Sequence, residues 1–408
     1  MTRGGHVSRR ADRAAGQSTA PAAPPEMSML DVCFVAPLAH GALVDAHDAY
    51  IGGVERQTRL MARWLASRGH RVTAITWDEG QPDEVEVRGV RLLKLCRRDA
   101  GVPGLRFVHP RWTSLIGALR RADASVYYQN SSEYVTGQVA LWCRQRGRAF
   151  VFSAASDNDC VASLPYLATL RERALYRYGL RHADRRIVQT RTQQRMLRAH
   201  FGLESAVIPM PCAAPVPAHF PEPPAHTTAR LPRVLWVGRL TPEKRPDRLL
   251  DLAAACPEIQ FDLVGPAYDV EYSRQILARA RRQDNVVVHG AVLPGELPAF
   301  YGKALCLCCT SESEGFPNTF LEAWALGLPT ITCFDPDGII ARERLGERHD
   351  TYEAWEAALE RWLGDAALRR ESGARARDYA TRVHGAGQIH DRMAEMLEAL
   401  LARRRARG

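Results

Sequence analysis

No stretch of this sequence reaches the roughly 18 consecutive apolar residues that a membrane-spanning helix needs. A secretory signal is missing too: residues 1–25 are rich in Arg, Ala and Pro and carry no apolar core. That start reads as a disordered tail, and Met27 or Met29 offers an alternative initiator. Paired cysteines are also lacking. The ten cysteines are scattered, and although Cys306-Leu307-Cys308-Cys309 contains a formal Cys-x-x-Cys, no second pair or His follows at zinc spacing. The tetrapeptide lies in an apolar run that reads as a buried strand, so structural thiols and a reducing cytoplasm are expected. Nucleic-acid signatures are absent as well. There is no zinc-finger, RNA-recognition or basic-zipper pattern, and the basic run lacks interleaved stacking aromatics.

What is present points to a soluble globular protein. A length of 408 residues suggests two domains, and 46% hydrophobic with 25% charged residues is ordinary composition. The formal charge is +9, and arginine supplies much of the excess. One segment is dense: Arg171, Arg173, Arg177, Arg181, Arg185, Arg186, Arg191, Arg195 and Arg198 face only Glu172 and Asp184. Such a segment would attract an anionic membrane surface or a lipid-diphosphate acceptor, or it is simply a solvated helical face.

The pattern along the chain is strand, loop, helix, strand, repeated. Apolar strands are expected at 32–35, 72–76, 90–95, 125–128, 150–153, 186–189 and 206–208, with a helix at 54–68. Eight prolines between Pro209 and Pro232 mark a stiff connector. Beyond it, strands are expected at 234–237, 260–264, 286–289, 304–309 and 330–333, and helices at 247–255, 271–282, 296–301 and 319–326. Further helices are expected at 352–363, 366–379 and 387–404. The fold class is α/β. The expected division is a tail at 1–27, a first Rossmann-like domain at 28–210, a linker at 211–232, a second Rossmann-like domain at 233–385, and a C-terminal helix at 386–408 placed to cross back to the first domain. Two Rossmann-like domains would then face one another across a cleft, where open α/β sheets bind ligands.

Two local patterns suggest what binds there. Glu314 and Glu322 flank a loop-to-helix turn in which Pro317 suits the first helical position. Free N–H groups and the positive dipole end at a helix start suit a phosphate. One acid before that start and one inside it can hold the hydroxyls on either side of a diphosphate. A lone Glu-x7-Glu is common, so the pattern needs support. Support comes from strand 234–237, which ends in Gly238-Arg239 with Lys244 five residues on. Arg grips phosphate oxygens bidentately and Lys adds a point charge, so the pair can neutralise a leaving diphosphate without a metal.

Together these residues carry a resemblance to the family 4 retaining glycosyltransferases of the two-Rossmann, GT-B type. The similar segments in the first half are Gly52-Gly53-Val54-Glu55 with Gly69-His70, Ala183-Asp184 through Gln193, and Ile208-Pro209. In the second half they are Gly238-Arg239 with Lys244, Leu263-Val264-Gly265, and Glu314 to Glu322 ending in Ala325-Leu326-Gly327-Leu328-Pro329. The resemblance implies transfer of a sugar from a nucleotide-diphosphate-sugar, with retained configuration, to a glycan or lipid-linked acceptor. It implies no cofactor, no metal and no nucleic-acid partner. Gly52 and Gly53 would bring amides to the donor phosphate, and Arg239 and Lys244 would bind the diphosphate. Glu314 would hold the sugar, the amides of Phe316, Pro317 and Asn318 would face its hydroxyls and phosphate, Gly265 would lie near the base, and Glu322 would hold the ribose. The implied setting is cell-envelope or exopolysaccharide assembly, cytoplasmic and peripheral on the inner membrane face.

The sequence departs from the family in two places. Many relatives carry a His-Asp pair after a first-domain strand, yet no histidine lies between His109 and His182. Asp157 takes the acidic position, as a second catalytic candidate or a loop-capping residue, and Ala155 or Ser156 takes the histidine's. The loop after Cys333 is Asp335-Pro336-Asp337-Gly338 where many relatives are Gly-rich. Asp157-Asn158-Asp159 and Asp335-Pro336-Asp337 also spell Asp-x-Asp, a divalent-metal pattern in other transferases. Two rivals to transfer stand at this point: a donor-binding scaffold without catalysis, and a nucleotide-sugar epimerase of the same architecture.

Overall fold

The computed structural model describes residues 1, 29–46, 52–212, 231–293, 295–312 and 314–406. The expected N-terminal tail (Met1 aside), residues 47–51 of the expected loop and residues 213–230 of the expected connector lie outside the described residues. Two sheets organise the chain. The first runs β1 (Asp31–Val35), β2 (Arg71–Thr76), β3 (Glu84–Val87), β4 (Val90–Lys94), β5 (Val126–Asn130), β6 (Ala149–Ser153), β7 (Arg185–Val188) and β8 (Ala206–Val207), in the spatial order β3-β4-β2-β1-β5-β6-β7-β8. The second has β9 (Arg233–Val237), β10 (Gln260–Val264), β11 (Val286–Gly290), β12 (Cys306–Cys309), β13 (Thr330–Thr332) and β14 (Gly346–Arg348), ordered β11-β10-β9-β12-β13-β14. Every pairing is parallel except β3 with β4.

Parallel strands need crossovers, and helices therefore cover both faces of each sheet. That is why the inner strands are continuous apolar runs: β1, β6 and β12 are buried at every residue. The thiols of Cys306, Cys308 and Cys309 are unpaired and buried in β12. Strands β3 and β14 escape the apolar-run signal, because they are short edge strands with polar, partly exposed residues.

The strand orders reverse at β1, between β2 and β5, and at β9, between β10 and β12. Open sheets part their loops at such points, beyond the carboxyl ends of the strands. From these two ends emerge Gly52-Gly53 and Gly238-Arg239. Helix Gly53–Ser67 follows the first, burying Thr58, Met61, Ala62 and Leu65 on one face.

Two passages of chain tie the sheets together side by side. Cys212 donates its N–H to the His384 carbonyl (2.7 Å), and the His384 ring meets the Met210 carbonyl (2.7 Å). After Gly385, helix Ala386–Arg405 leaves the second sheet. Ile389, Met393, Ala394, Leu397 and Leu400 join Leu30, Val32, Phe34 and Met61 in the core of the first. Arg404 pairs with Asp184 at its end (2.6 Å).

The basic segment is not one helical face. It spans helix Leu170–His182, β7 and helix Arg191–Phe201. Several of its arginines close off backbone carbonyls: Arg173 on Leu167, Arg177 on Ala162, and Arg186 on Leu180 and Ala183. Among the described residues no helix is long and apolar enough to cross a membrane.

Candidate active site

The loop after β12 leads into helix Asn318–Ala325. Pro317, with ψ of 123°, stands just outside it, one residue earlier than the sequence suggests. Glu322 sits on the second turn and is 7% exposed. It accepts a hydrogen bond from the Tyr301 hydroxyl (2.7 Å) and forms an ion pair with Arg56 of the first domain. Glu314, before the helix, forms an ion pair with Lys244. Burial alone would lower the Lys244 pKa, but the Glu314 carboxylate beside it outweighs burial and holds it above the ordinary lysine value.

Lys244 is placed by a relay of bonds. It ends a short turn, Pro242–Lys244, whose last carbonyl accepts from the Thr310 hydroxyl (2.8 Å). The Trp236 indole on β9 donates in turn to Thr310 (2.8 Å), so strand, turn and cation move together. Arg239 lies 3.7 Å from Glu243 and over the Tyr268 ring at 4.7 Å. Gly265, after β10, has φ of +146°, and a Cβ there would fall 1.7 Å from the Gly238 carbonyl oxygen. Only glycine lets these two strand ends approach so closely.

The first domain supplies the facing wall. Gly52 is the N-cap of helix Gly53–Ser67, and no side chain caps it. A Cβ at Gly53 would meet the Asn318 amide nitrogen at 2.6 Å, so glycine permits the contact between the two helix starts. Gln57 donates to Asn318 (2.9 Å). Ser156 and Gly315 form an antiparallel bridge across the cleft. Together these walls enclose a cavity of about 850 Å³, and every site residue expected from sequence except Asp157 lines it.

Three expectations are corrected by this geometry. Phe316 does not offer its N–H to the cavity; it donates to the Gln189 side chain of the first domain (3.0 Å). Pro317 has no N–H, so of that trio Asn318, at the helix start, is left as a backbone donor. Asp157 is set back behind Ser156, where burial pushes its carboxyl up to about 6; the Asp337, Asp159 and Glu314 carboxylates add to this and Gln193 opposes it. Three of the four Asp-x-Asp acids serve the backbone. Asp159, with no exposure, accepts from the amides of Ser132, Ala155 and Ser156, and Asp335 accepts from Ile340 and Ala341. Asp337 accepts from Arg191 and Thr192 across the cleft. The position where relatives carry histidine, Ala155-Ser156, is built into the interdomain bridge.

Some residues at the site carried no sequence signal. Arg56 and Gln57 directly follow the Gly52-Gly53-Val54-Glu55 motif, yet nothing local says that they reach the other domain. Tyr301 is likewise silent, and Gln189, although inside the similar segment Ala183 to Gln193, has nothing local to mark it as a contact with the second domain. Outside the residues that line the cavity, Glu133 after β5 has its carboxyl pushed up to about 7 by burial, with the Glu55 carboxylate adding and Arg98 opposing.

Comparisons with known proteins agree with this architecture. A glycosyl transferase 4-like domain model matches residues 52–213, and a model of glycosyl transferases group 1 matches residues 225–379. Among solved structures, sucrose-phosphate synthase from Thermosynechococcus elongatus is 22% identical, with a TM-score of 0.77 over 91% of this chain and 99% of that one. HepE from Anabaena, solved with UDP-glucose, is 15% identical, with a TM-score of 0.67 over 91% of this chain and 100% of that one. WaaG, a glycosyltransferase involved in lipopolysaccharide biosynthesis, is 18% identical, with a TM-score of 0.66 over 90% of this chain and 99% of that one. The two family models fall one on each sheet, on either side of the cavity, and with that division of the fold the chain belongs to the group 1 glycosyltransferases of the GT-B type.

Proposed function

We propose that this glycosyltransferase is a retaining enzyme that moves a sugar from a nucleotide-diphosphate-sugar to a glycan or lipid-linked acceptor in cell-envelope or exopolysaccharide assembly. One observation carries the donor half. Two helix starts, one from each domain, and two cations and two acids of the second domain line a single cavity, and these are the kinds of group that a sugar, a diphosphate and a ribose require. In this reading Glu314 holds the sugar, Arg239 and Lys244 take the diphosphate with the Gly52-Gly53 amides, Glu322 holds the ribose, and Gly265 lies near the base. UDP-sugars are the first donors to test, since HepE of the same fold was solved with UDP-glucose.

The chemistry follows from charge. The bond from the sugar's anomeric carbon to the leaving phosphate breaks while the acceptor oxygen bonds that carbon from the same face. The acceptor proton passes to the leaving phosphate oxygen, so no protein base is obligatory. Arg239 and Lys244 stabilise the negative charge that grows on the diphosphate. Asp157, set back from the cavity, acts on the acceptor side only through the loop that carries Ser156.

The lipid-linked acceptor is favoured by a surface feature. Val102, Leu105, Val108 and Leu170 are exposed, with Arg98 and Arg171 beside them in sequence. Arg171 stacks over Phe107 (3.8 Å) and so joins the 102–108 segment to the start of helix Leu170–His182. Exposed Tyr166 also lines the cavity. Apolar and basic side chains together suit a lipid headgroup region.

The test is turnover with a panel of nucleotide-sugars and an envelope lipid extract. Glu314→Ala is expected to lose about 10²–10³ in rate while keeping its fold. Near-wild-type turnover in that variant ends the role given to Glu314. Binding without release of nucleoside diphosphate from any donor would favour the scaffold, and donor interconversion without transfer would favour the epimerase.

A further inference from the structure

Glu322 belongs to the second domain, yet the first domain governs one of its oxygens. Arg56, on the first turn of helix Gly53–Ser67, pairs with Oε1, while the Tyr301 hydroxyl donates to Oε2 at 2.7 Å. A carboxylate has about four acceptor sites, so about two remain for a ligand. Burying a carboxylate is costly unless a cation and hydrogen bonds compensate, and Arg56 supplies the cation. The neighbouring Gln57 fixes the same helical turn by donating to Asn318 (2.9 Å) and to the Pro211 carbonyl (3.4 Å). Asn318 and Glu322 are four residues apart, hence on one face of their helix. Two consecutive side chains of the first domain thus grip two successive turns of the second.

We infer that Arg56 is a positioning residue for the nucleotide ribose. It holds the Glu322 carboxylate aimed so that its free lone pairs meet the 2′ and 3′ hydroxyls of a nucleoside diphosphate. Recognition of the ribose is then complete only when the two domains are together. This rests on the reading of Glu322 as the ribose ligand. Arg56 touches no ribose hydroxyl itself, and its contribution is confined to ligands that carry the diol. Lysine in its place keeps a charge without the planar fork and restores part of the effect.

The experiment is a cycle of binding measurements by calorimetry. UDP, GDP and ADP, each with its 2′,3′-dideoxy analogue, are titrated into the wild type, Arg56→Gln, Arg56→Lys and Glu322→Gln, and the tightest pair is read. In the wild type the diol should tighten binding by about tenfold to a hundredfold, since hydrogen bonds to a charged acceptor are the strong ones. In Arg56→Gln that preference should fall to within about threefold, as in Glu322→Gln, while affinity for the dideoxy analogue stays within about threefold of wild type. Arg56→Lys should lie between and serves if the glutamine variant melts early. A wild type that prefers the diol beside an Arg56→Gln that weakens both ligands equally overturns the inference and leaves the ribose reading standing. A wild type indifferent to the diol overturns both.

Discussion

Replacing Asp337 with asparagine removes a charge that one domain lends to the other. Asp337 lies in the loop after β13 with φ of +56°. Its carboxylate accepts the Arg191 amide (2.7 Å), the Thr192 amide (2.8 Å) and the Thr192 hydroxyl (2.7 Å), all at the start of helix Arg191–Phe201. That helix already has a cap of its own, because Thr190 accepts from the Gln193 amide (3.0 Å). Asp337 is therefore a second cap supplied in trans, and its negative charge meets the positive end of the helix. Losing a cap costs about 0.5–2 kcal/mol, which is about twofold to thirtyfold in an equilibrium or rate. Every bond lost crosses the cleft, so the cost falls on the joined arrangement of the domains and little on the core of either. Asparagine tolerates the left-handed backbone, so Asp337→Asn isolates the carboxylate, while Asp337→Ala adds about 1–2 kcal/mol of backbone strain. The expected result is a drop of about twofold to thirtyfold in kcat/KM for the donor and a larger radius of gyration by X-ray scattering. The first-domain melting transition should hardly move. Wild-type kcat/KM with an unchanged scattering curve in Asp337→Asn would refute this reasoning.

Three further outcomes are expected. Gly53→Ala pushes a methyl to within 2.6 Å of the Asn318 nitrogen, which Gln57 holds in place. Overpacking of about 1–3 kcal/mol should raise the donor KM about tenfold, and adding Asn318→Ala should restore it; a double variant no better than Gly53→Ala alone contradicts the contact. Asp157 titrates at about 6 when folded, above its ordinary 3.8, so its contribution to stability is fully present below pH 3.8 and is lost as pH rises through about 6. Asp157→Asn should then melt above wild type at pH 8, by an amount corresponding to roughly 3 kcal/mol, and together with it at pH 4; a difference independent of pH counts against the burial argument. Leu105→Asp should cut sedimentation with phosphatidylglycerol vesicles by about tenfold or more, because a buried leucine is worth about 1.5–3 kcal/mol. Equal sedimentation would remove the membrane-facing role of the 102–108 segment.

The strands were legible where burial on both faces writes itself as a continuous apolar run, as in β1, β6 and β12. Edge strands β3 and β14 were not, since polar, partly exposed residues break the run. Glu314, Glu322, Arg239 and Lys244 stood out because they sit at fixed distances from a strand end or helix start, and such distances are local. The arginines from Arg171 to Arg198 show the opposite case. A sequence cannot tell an arginine facing solvent from Arg186, whose guanidinium is spent on the carbonyls of Leu180 and Ala183.

By itself, then, the sequence determined two parallel α/β domains, the helix starts at the cleft, and the charged residues each domain brings to it. These follow from period, caps and spacing within a few turns of chain. The tertiary structure alone decided that Arg56 meets Glu322, that Gln189 takes the Phe316 amide, that Asp337 caps a helix in the other domain, and that Asp157 stands behind the wall. Those partners lie far apart in the chain. They meet only because the passages at Met210 and His384 and the returning helix Ala386–Arg405 set one sheet against the other. Spacing along a chain carries no record of that placement, and the energy that enforces it comes from burial shared between segments hundreds of residues apart.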